Sequence, residues 1–329
     1  MTDPWRDRPV FVTGCSGLLG GWLVEELADR GAEVVGLLRD RVPGSRLLLE
    51  GIHERITIVP GDVRDRDVLE RVVNEYEVEV VFHLAAQTIV RIANRNPLST
   101  FESNVAGTWN MLEACRRCST VEAVVVASSD KAYGAQEELP YTEDAPLIGR
   151  HPYDVSKSCA DLIAQAYHAT YSLPVSVTRC GNLYGGGDLN FSRLVPGTIR
   201  SLLNGEAPVI RSDGAFVRDY FYVKDAVLAY LALAERMLDG EACGRAFNYS
   251  NESQVTVTEM VREIARVAGR PDLEPLILDE VTNEIPAQYL SAQRARSELD
   301  WAPRYDLDSS LEETVAWYGR YLSSAAGDS

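Results

Sequence analysis

The chain has 329 residues, of which 46% are hydrophobic, and its 32 basic and 49 acidic side chains give a net charge of −17. This length and composition allow a substantial core in one large domain or two closely joined ones. The acidic balance argues against binding to nucleic acid or to an anionic membrane. Neither the start of the chain nor any later run is apolar enough for a signal peptide or a membrane helix, so we expect a cytoplasmic protein.

The first predicted elements form a strand–helix–strand unit. Pro9–Thr13 has the pattern of a buried strand, and Glu33–Leu38 has the pattern of the next one. Between them, apolar residues recur at helical spacing until Gly31 ends the helix. The unit therefore has the order and length of a dinucleotide-binding βαβ unit.

Three glycines lie in the turn between the first strand and the helix. Gly14 would turn the chain, Gly17 would let the backbone approach a pyrophosphate, and Gly20 would let the helix pack on the strand. The triplet alone fits an ordinary turn equally well, but its position at the start of a helix favours a phosphate site. We predict an NAD(P) site whose contacts here are Gly14, Ser16, Gly17, Leu18, Leu19 and Gly20.

The end of the second strand affects the choice between NAD and NADP. Leu38 is followed by Arg39 and Asp40, whereas the residue that usually grips the adenosine ribose at this place is acidic. Arg39 can pair with a 2′-phosphate, which slightly favours NADP. Because Asp40 is one residue away, both cofactors stay open.

The alternation of strands and helices continues and then changes. Further strands are predicted at Ile56–Val59, Val78–Leu84, Val121–Ser128 and Val175–Thr178. Strands separated by helix-length segments predict an α/β fold with a Rossmann-type, doubly wound parallel sheet. After Arg179 the chain becomes rich in glycine and asparagine, which indicates a smaller α/β substrate-binding lobe. We assign residues 1–179 to the NAD(P)-binding domain, completed by segments near 215–250, and residues 180–329 mainly to the second lobe.

The carboxyl ends of the third and fourth strands add candidate cofactor contacts. Asp62 and Val63 follow the third strand, where they would meet an adenine, although a helix cap explains them equally well. The fourth strand ends in Leu84, Ala85 and Ala86, whose small side chains would let a cofactor lie against the backbone. His83 just before them is predicted to be packed in the strand and not to be a catalyst.

A second group of polar residues is predicted at the same edge of the sheet. Tyr153 and Lys157 are four residues apart where a helix begins after Pro152, so they share one helix face. A neighbouring ammonium favours the phenolate form of a tyrosine and makes it a working base. Alone, the pair fits a helix tyrosine with a surface lysine, but the glycine turn in the same chain favours an acid/base pair. Ser129–Lys131 follow an upstream strand and bring a hydroxyl, a carboxylate and an ammonium to this edge.

With these residues the chain resembles the extended short-chain dehydrogenase/reductases that modify nucleotide sugars. The resemblance runs from about Arg8 to Tyr321 and further rests on Asn104–Thr108, Ser129–Gly134, Arg179–Asn182, Val217–Tyr220 with Asp225, and Leu299–Pro303. Residues 129–131 read Ser-Asp-Lys, as in CDP-glucose 4,6-dehydratases; other 4,6-dehydratases carry Thr-Asp-Glu there, and 4-epimerases carry no such acid. Leu38 and Arg39 look more like the NADP-binding loop of GDP-mannose 4,6-dehydratases.

The resemblance implies a nucleotide-sugar substrate and a role for each catalytic candidate. Tyr153, assisted by Ser129, would remove the proton of the hexose 4-hydroxyl, while Lys157 would hold the nicotinamide ribose and lower the pKa of Tyr153. Asp130 would protonate the 6-hydroxyl so that water leaves. Lys131, or a base that it orients, would take the proton at C5; a purely electrostatic role also stays open, because an ammonium is a base only when its pKa is lowered.

Two alternatives to an NDP-hexose 4,6-dehydratase remain. A 4-epimerase would need Ser129, Tyr153 and Lys157 but not the pair at 130–131. A non-catalytic nucleotide-sensing protein would bind the cofactor without turnover.

The resemblance also implies binding residues and a partner. It adds Asn104 to the cofactor contacts and Gln87, Asn182, Arg193, Arg211, Arg218 and Gln288 to the substrate contacts. Arg211 and Arg218 suit the diphosphate, although ion pairs with Asp213 or Asp219 compete, and Gln288 stands where many relatives place a phosphate-binding arginine. Relatives dimerise through the helices that correspond to residues 98–116 and 153–171, so a homodimer with a four-helix bundle is expected. We expect reduced cysteines and no metal site.

Overall fold

The structure is a computed structural model that describes residues 3–280 and 285–327. Its strands are β1 (Pro9–Thr13), β2 (Glu33–Leu38), β3 (Thr57–Pro60), β4 (Val80–His83), β5 (Ala123–Ala127), β6 (Val175–Cys180), β7 (Asn182–Tyr184), β8 (Val209–Ile210), β9 (Val217–Arg218), β10 (Tyr220–Tyr222), β11 (Ala246–Tyr249), β12 (Val255–Thr256), β13 (Leu276–Ile277) and β14 (Ala287–Gln288). Its helices are α1 (Leu18–Asp29), α2 (Arg46–Leu49), α3 (Arg66–Glu75), α4 (Val90–Arg95), α5 (Pro97–Phe101), α6 (Gly107–Arg116), α7 (Pro152–Tyr171), α8 (Leu194–Leu203), α9 (Val223–Leu238), α10 (Val257–Val267), α11 (Gln293–Leu299) and α12 (Leu307–Gly327). Two 3₁₀ turns lie at Ile52–Arg55 and Asp130–Tyr133.

The large sheet is parallel and has seven strands in the order β3-β2-β1-β4-β5-β6-β11. Its strand order reverses between β1 and β4, which opens a crevice at their carboxyl ends. The predicted Rossmann-type fold is confirmed.

Strand bounds agree with the predictions within a few residues. β1 and β2 have the predicted bounds, whereas β5 is shorter than the predicted Val121–Ser128 and β6 runs to Cys180. The extension of β6 has a clear cause, because β11 pairs along its outer side, with Tyr249 opposite Cys180. β11 thus reaches the sheet from beyond the predicted domain boundary, within the segment expected to complete it. The boundary at residue 180 itself stays a prediction.

Two apolar cores cover the two faces of the sheet. On one face, α1 and α9 bury residues such as Leu23 and Leu233 against the strands. On the other face, α3, α6 and α7 bury residues such as Leu69 and Met111. Covering both faces is what a parallel sheet of nearly continuous apolar strands requires. Together the two layers of helices fix the strands whose carboxyl ends border the crevice.

The second lobe consists of short strand pairs and helices. β7 pairs with β10, β8 with β13, and β9 with both β12 and β14. α8 and α10 pack beside them. No helix within residues 3–280 and 285–327 is long and apolar enough to cross a membrane.

The predicted helix at residues 98–116 forms and contains a π-helical turn. α5 and α6 are joined by a π-helical turn at Glu102–Ala106. Asn104 lies in this turn, and its carboxamide accepts from the Gln87 backbone N at 2.7 Å and donates to the Gln87 carbonyl at 3.1 Å. A π turn adds a residue to one helical turn and often marks a functional site. Here it aims Asn104 at the loop that follows β4.

Candidate active site

A cavity of about 1640 Å³ opens at the carboxyl ends of β1 and β4 and extends into the second lobe. Its walls include nearly all of the candidate residues. These are Gly14, Ser16, Gly17, Leu18, Leu19, Gly20, Arg39, Asp62, Val63, Leu84, Ala85, Ala86, Ser129, Asp130, Lys131, Tyr153, Lys157, Asn182, Arg193, Arg211 and Arg218. Gln87, Asn104 and Gln288 lie outside this lining.

The glycine turn has the shape that a dinucleotide requires. Gly14 has a φ of +73°, and a Cβ there would lie 2.9 Å from the Ala85 backbone N. A Cβ on Gly20 would lie 2.1 Å from the Gly14 carbonyl oxygen, so α1 can approach β1 only with glycine at this place. Gly17 caps α1 without a side-chain hydrogen bond, which leaves the first helical amides to a ligand. These residues fit the pyrophosphate of NAD(P).

Arg39 and Asp62 lie at the adenosine end of the cavity, and each has a partner. Arg39 Nε lies 2.6 Å from Asp40 Oδ2, and both side chains are exposed. Asp62 accepts from the Arg64 backbone N at 2.9 Å and pairs with its guanidinium. The pKa of Asp62 lies below its ordinary value; burial opposes this shift, but the bonds to Arg64 outweigh it. The Asp62 carboxylate therefore remains a charged acceptor beside the cofactor site.

Hydrogen bonds fix the end of β4. Thr13 Oγ1 accepts from the backbone N of Leu84 and of Ala85, each at 3.2 Å. His83 contacts Thr13 Oγ1 through Nδ1 at 2.9 Å and Thr108 Oγ1 through Nε2 at 3.2 Å. Burial, with a smaller effect of Lys157, lowers the pKa of His83 to about 3, so the ring is neutral. His83 is a packed strand residue, as predicted.

Asn104 and Gln87 are joined by hydrogen bonds at the loop after β4. The Asn104 carboxamide contacts Gln87 and, at 2.9 Å, Ser156 Oγ, so it holds the loop after β4; its contact with a cofactor stays a prediction. Gln87 Oε1 accepts from the Ile89 backbone N at 2.8 Å. Both side chains thus make local hydrogen bonds that shape the loop after β4, and both lie outside the cavity lining.

The segment Ser129–Lys131 forms the start of a 3₁₀ turn directly after β5. Ser129 Oγ donates to Asp130 Oδ1 at 3.0 Å and accepts from the Lys131 backbone N at 3.2 Å. Asp130 is only 2% exposed, and its Oδ2 has no hydrogen-bond partner among the described residues. Lys131 Nζ lies 3.7 Å from that oxygen. A buried carboxyl oxygen left unpaired is costly, which makes it a candidate contact for a substrate hydroxyl.

Tyr153 and Lys157 lie on the first turns of α7, as predicted. Burial raises the pKa of Tyr153 to about 12, while the adjacent Ser129 hydroxyl and Arg193 lower it. Burial lowers the pKa of Lys157 to about 8, and its Nζ donates to the Ala127 carbonyl at 2.7 Å. The groups that lower the pKa of Tyr153 here are Ser129 and Arg193, and a lowering by Lys157 stays a prediction.

Arg193 joins the two sides of the cavity mouth. Its guanidinium pairs with Asp188 at 3.0 Å and donates to Thr88 Oγ1 at 3.2 Å. Asn182 is the first residue of β7, and its backbone N–H donates to the Asp219 carbonyl at 2.8 Å. Asp188 and Thr88 were not among the predicted site residues. For Asp188, its position at the end of the glycine-rich loop was a sequence signal that could have indicated a site residue. No sequence signal indicated Thr88.

The two arginines expected at the diphosphate have different surroundings. Arg211 is exposed at the end of β8 and pairs with no carboxylate of residues 3–280 or 285–327, so the competing pair with Asp213 does not form there. Arg218 is buried, donates to the Val217 carbonyl at 2.9 Å and stacks over Phe216. Both face the cavity and offer donors of the geometry that phosphates accept.

Comparison with known proteins gives one consistent result. Residues 10–249 match the model of the NAD dependent epimerase/dehydratase family. The chain is 32% identical to a CDP-glucose 4,6-dehydratase of Salmonella typhimurium, over 97% of this chain and 92% of that protein. It is also 32% identical to a UDP-glucuronate 4-epimerase of Arabidopsis thaliana, over 95% of this chain and 76% of that protein.

Among solved structures, a dTDP-glucose 4,6-dehydratase of Bacillus anthracis in complex with NAD is similar throughout. The TM-score is 0.84 at 28% identity, covering 95% of this chain and 97% of that one. The likeness thus includes both the Rossmann-type sheet and the second lobe.

Proposed function

The chain belongs to the NAD dependent epimerase/dehydratase family, and from this premise we propose that it is an NDP-hexose 4,6-dehydratase. It would convert a nucleotide hexose of the CDP-glucose or GDP-mannose type to the NDP-4-keto-6-deoxyhexose. The observation that carries the proposal is Oδ2 of the buried Asp130, which accepts no hydrogen bond from residues 3–280 or 285–327 and lies beside Lys131 in the same cavity as Tyr153 and Lys157. An epimerase has no use for an acid at this place, whereas water elimination requires one.

The residues of the glycine turn would hold NAD(P), with the pyrophosphate at the start of α1 and the adenosine near Asp62. When bound, the nicotinamide accepts a hydride from the sugar, carries a positive charge while oxidised, and gives the hydride back. Lys157, at the carboxyl edge of β5, would hold the nicotinamide ribose.

Tyr153 would move the first proton. Its phenolate oxygen would take the proton of the sugar 4-hydroxyl as C4 is oxidised to a ketone, and Ser129 would orient that 4-hydroxyl. Since burial raises the pKa of Tyr153 to about 12, positive charge must come close to it for the phenolate to form. Arg193 already acts in that direction.

Asp130 and Lys131 would carry out the elimination. The 4-ketone acidifies the hydrogen at C5, and Lys131 or a base that it orients takes that proton. As the C5–C6 double bond forms, the C6–O bond breaks and Asp130 gives its proton to the 6-hydroxyl, which leaves as water. Return of the hydride to C6, which the bound nicotinamide would supply, and of a proton to C5 would give the 4-keto-6-deoxy sugar.

The experiment that tests this function is a product assay with intact substrates. We expect the purified protein, incubated separately with CDP-glucose, GDP-mannose, dTDP-glucose, UDP-glucose and UDP-glucuronate, to convert at least one of them to a product lighter by one water. Mass spectrometry of the intact nucleotide sugar detects this loss. An isomer of unchanged mass establishes the 4-epimerase instead, and binding of cofactor without turnover of any sugar supports the nucleotide-sensing protein.

NADP is proposed as the preferred cofactor, on the position of Arg39 beside the adenosine end of the cavity. The ion pair with Asp40 lies at the surface and is weak enough to yield to a 2′-phosphate. We expect Arg39→Ser to weaken NADP binding by about 10-fold, the value of one charge-assisted hydrogen bond, and to leave NAD binding unchanged. Calorimetric titration of both cofactors measures this, and equal losses for both would contradict the preference.

A homodimer through a four-helix bundle is also proposed. Leu98, Trp109 and Leu162, on α5, α6 and α7, are exposed large apolar side chains, which a partner's copy of the same helices would cover. The molar mass in solution, measured by light scattering, decides between monomer and dimer. A cytoplasmic location stays a prediction from the sequence.

A further inference from the structure

Gln288 lies next to the 3₁₀ turn at Asp130–Tyr133 and outside the lining of the cavity. It belongs to β14, where it is paired with Arg218 of β9, and it is fully buried. Its Nε2 donates to the Asp130 carbonyl at 3.1 Å, and its Oε1 accepts from Lys131 Nζ. A carboxamide that is 157 residues from Lys131 in sequence thus contacts both residues of the proposed elimination pair.

The two partners fix the orientation of this amide. The Asp130 carbonyl can only accept a hydrogen bond, and the Lys131 ammonium can only donate one. A carboxamide satisfies both when Nε2 faces the carbonyl and Oε1 faces the ammonium. A carboxylate at this position would oppose the carbonyl, and a cationic side chain would oppose the ammonium. The chemistry of position 288 is therefore matched to a lysine at position 131.

The amide also controls the distance between Lys131 and Asp130. Lys131 Nζ is held 3.7 Å from Asp130 Oδ2, beyond a hydrogen bond. Without Oε1, the ammonium would keep Asp130 Oδ2, which accepts no hydrogen bond from the described residues, as an acceptor 3.7 Å away and would close on it. A direct contact would favour the charged carboxylate and occupy the oxygen that is needed to give a proton to the leaving hydroxyl.

We propose that Gln288 is a positioning residue that holds the Lys131 ammonium away from Asp130 Oδ2 and so keeps the acid free for water elimination. The inference rests on the proposed dehydratase function for its catalytic consequence. It replaces the expected contact between Gln288 and a substrate phosphate, since the side chain lies outside the cavity lining.

The test compares Gln288→Met, Lys131→Met and the double variant, with Tyr289→Phe, at the residue that follows β14, as the control. Methionine keeps the length of glutamine without its polar atoms. For Gln288→Met we expect the kcat of dehydration to fall about 10- to 100-fold, as for loss of a hydrogen bond to a charged group, while KM changes less than about threefold. Oxidation at C4, followed by the absorbance of the reduced nicotinamide, continues. Tyr289→Phe behaves as the wild type.

The double variant separates positioning from general damage. If Gln288 acts through Lys131, adding Gln288→Met to Lys131→Met changes the dehydration rate by less than about threefold, because the two residues form one unit. Multiplied losses, or equal losses of oxidation and dehydration, would overturn the proposal.

A measurement without substrate keeps this inference separate from the proposed function. The rate at which acetic anhydride acetylates Lys131 in the folded protein reports whether Gln288 holds Lys131 Nζ. Mass spectrometry measures this rate, with Lys224 as the internal reference. We expect the acetylation rate of Lys131 to fall about 10-fold in Gln288→Met, because the released ammonium closes on Asp130 Oδ2 and a charge-assisted hydrogen bond has about this value. An unchanged rate overturns the contact itself, whereas a wild-type protein that dehydrates no nucleotide hexose overturns only the function.

Discussion

We expect the Tyr153→Phe variant to lose both C4 oxidation and dehydration by about 10²- to 10⁴-fold, the usual contribution of a general base. Phenylalanine removes only the hydroxyl that would take the proton of the sugar. Because proton removal at the 4-hydroxyl precedes the elimination, no later step can proceed without it. The measurement is a single-turnover assay that follows reduced nicotinamide and dehydrated product together.

Tyr171→Phe is the matched control for this variant. Tyr171 is the last residue of the same helix, α7, and 55% of its surface is exposed, so the same chemical change there should leave both rates unaltered. A Tyr153→Phe enzyme that oxidises C4 at the wild-type rate would show that another group is the base. Retained cofactor binding, measured by calorimetry, ensures that the site is still assembled.

The pH dependence of kcat/KM should also reflect this pair. Burial holds the pKa of Tyr153 near 12, so the phenolate fraction and the rate rise with pH in the neutral range. Burial lowers the pKa of Lys157 to about 8, so its ammonium is present below that pH and is lost above it. We expect kcat/KM to increase up to about pH 8 and then to level or fall. A rate that decreases steadily between neutral pH and pH 8 would contradict these roles.

The sequence predicted those parts of the fold and site that depend on local pattern. The alternating strands and helices implied a parallel sheet, and a parallel sheet gathers the carboxyl ends of its strands at one edge. That rule brought Gly14 and Ser129 to one edge, and the Tyr153–Lys157 pair at the start of a helix was assigned to the same site; all four residues line one cavity. The φ of Gly14 and the tight approach at Gly20 follow from the same turn.

Features that depend on tertiary partners were not predictable in this way. Gln288 contacts Lys131 because β14 pairs with β9, and no local signal announces a two-residue strand. Asn104 faces Gln87 because it lies in the π turn between α5 and α6, and no pattern in the sequence indicated that turn. The pKa of Tyr153 depends on how deeply the packed chain buries it, and burial outweighed the nearby charges.

The second large effect is expected for Asp130→Asn, which should lower dehydration by about 10²- to 10⁴-fold while C4 oxidation remains detectable. Asparagine has nearly the shape of aspartate but cannot act as a carboxylic acid. Its Oδ1 can still accept from Ser129 Oγ, and its Nδ2 would stand at Oδ2, which has no hydrogen-bond partner among the described residues. The substitution thus removes the acid and leaves the turn intact.

Loss of dehydration with retained C4 oxidation in Asp130→Asn would distinguish a dehydratase from an epimerase by a single substitution. Asp144→Asn removes the same charge from a side chain that is 84% exposed and outside the cavity, so it controls for the change in net charge. In Asp130→Asn, the intact 4-keto hexose should accumulate with reduced nicotinamide, and mass spectrometry should show no loss of water. Full dehydration in this variant would refute the acid role of Asp130, since no amide can supply that proton. Loss of oxidation and dehydration together would instead place Asp130 in substrate binding.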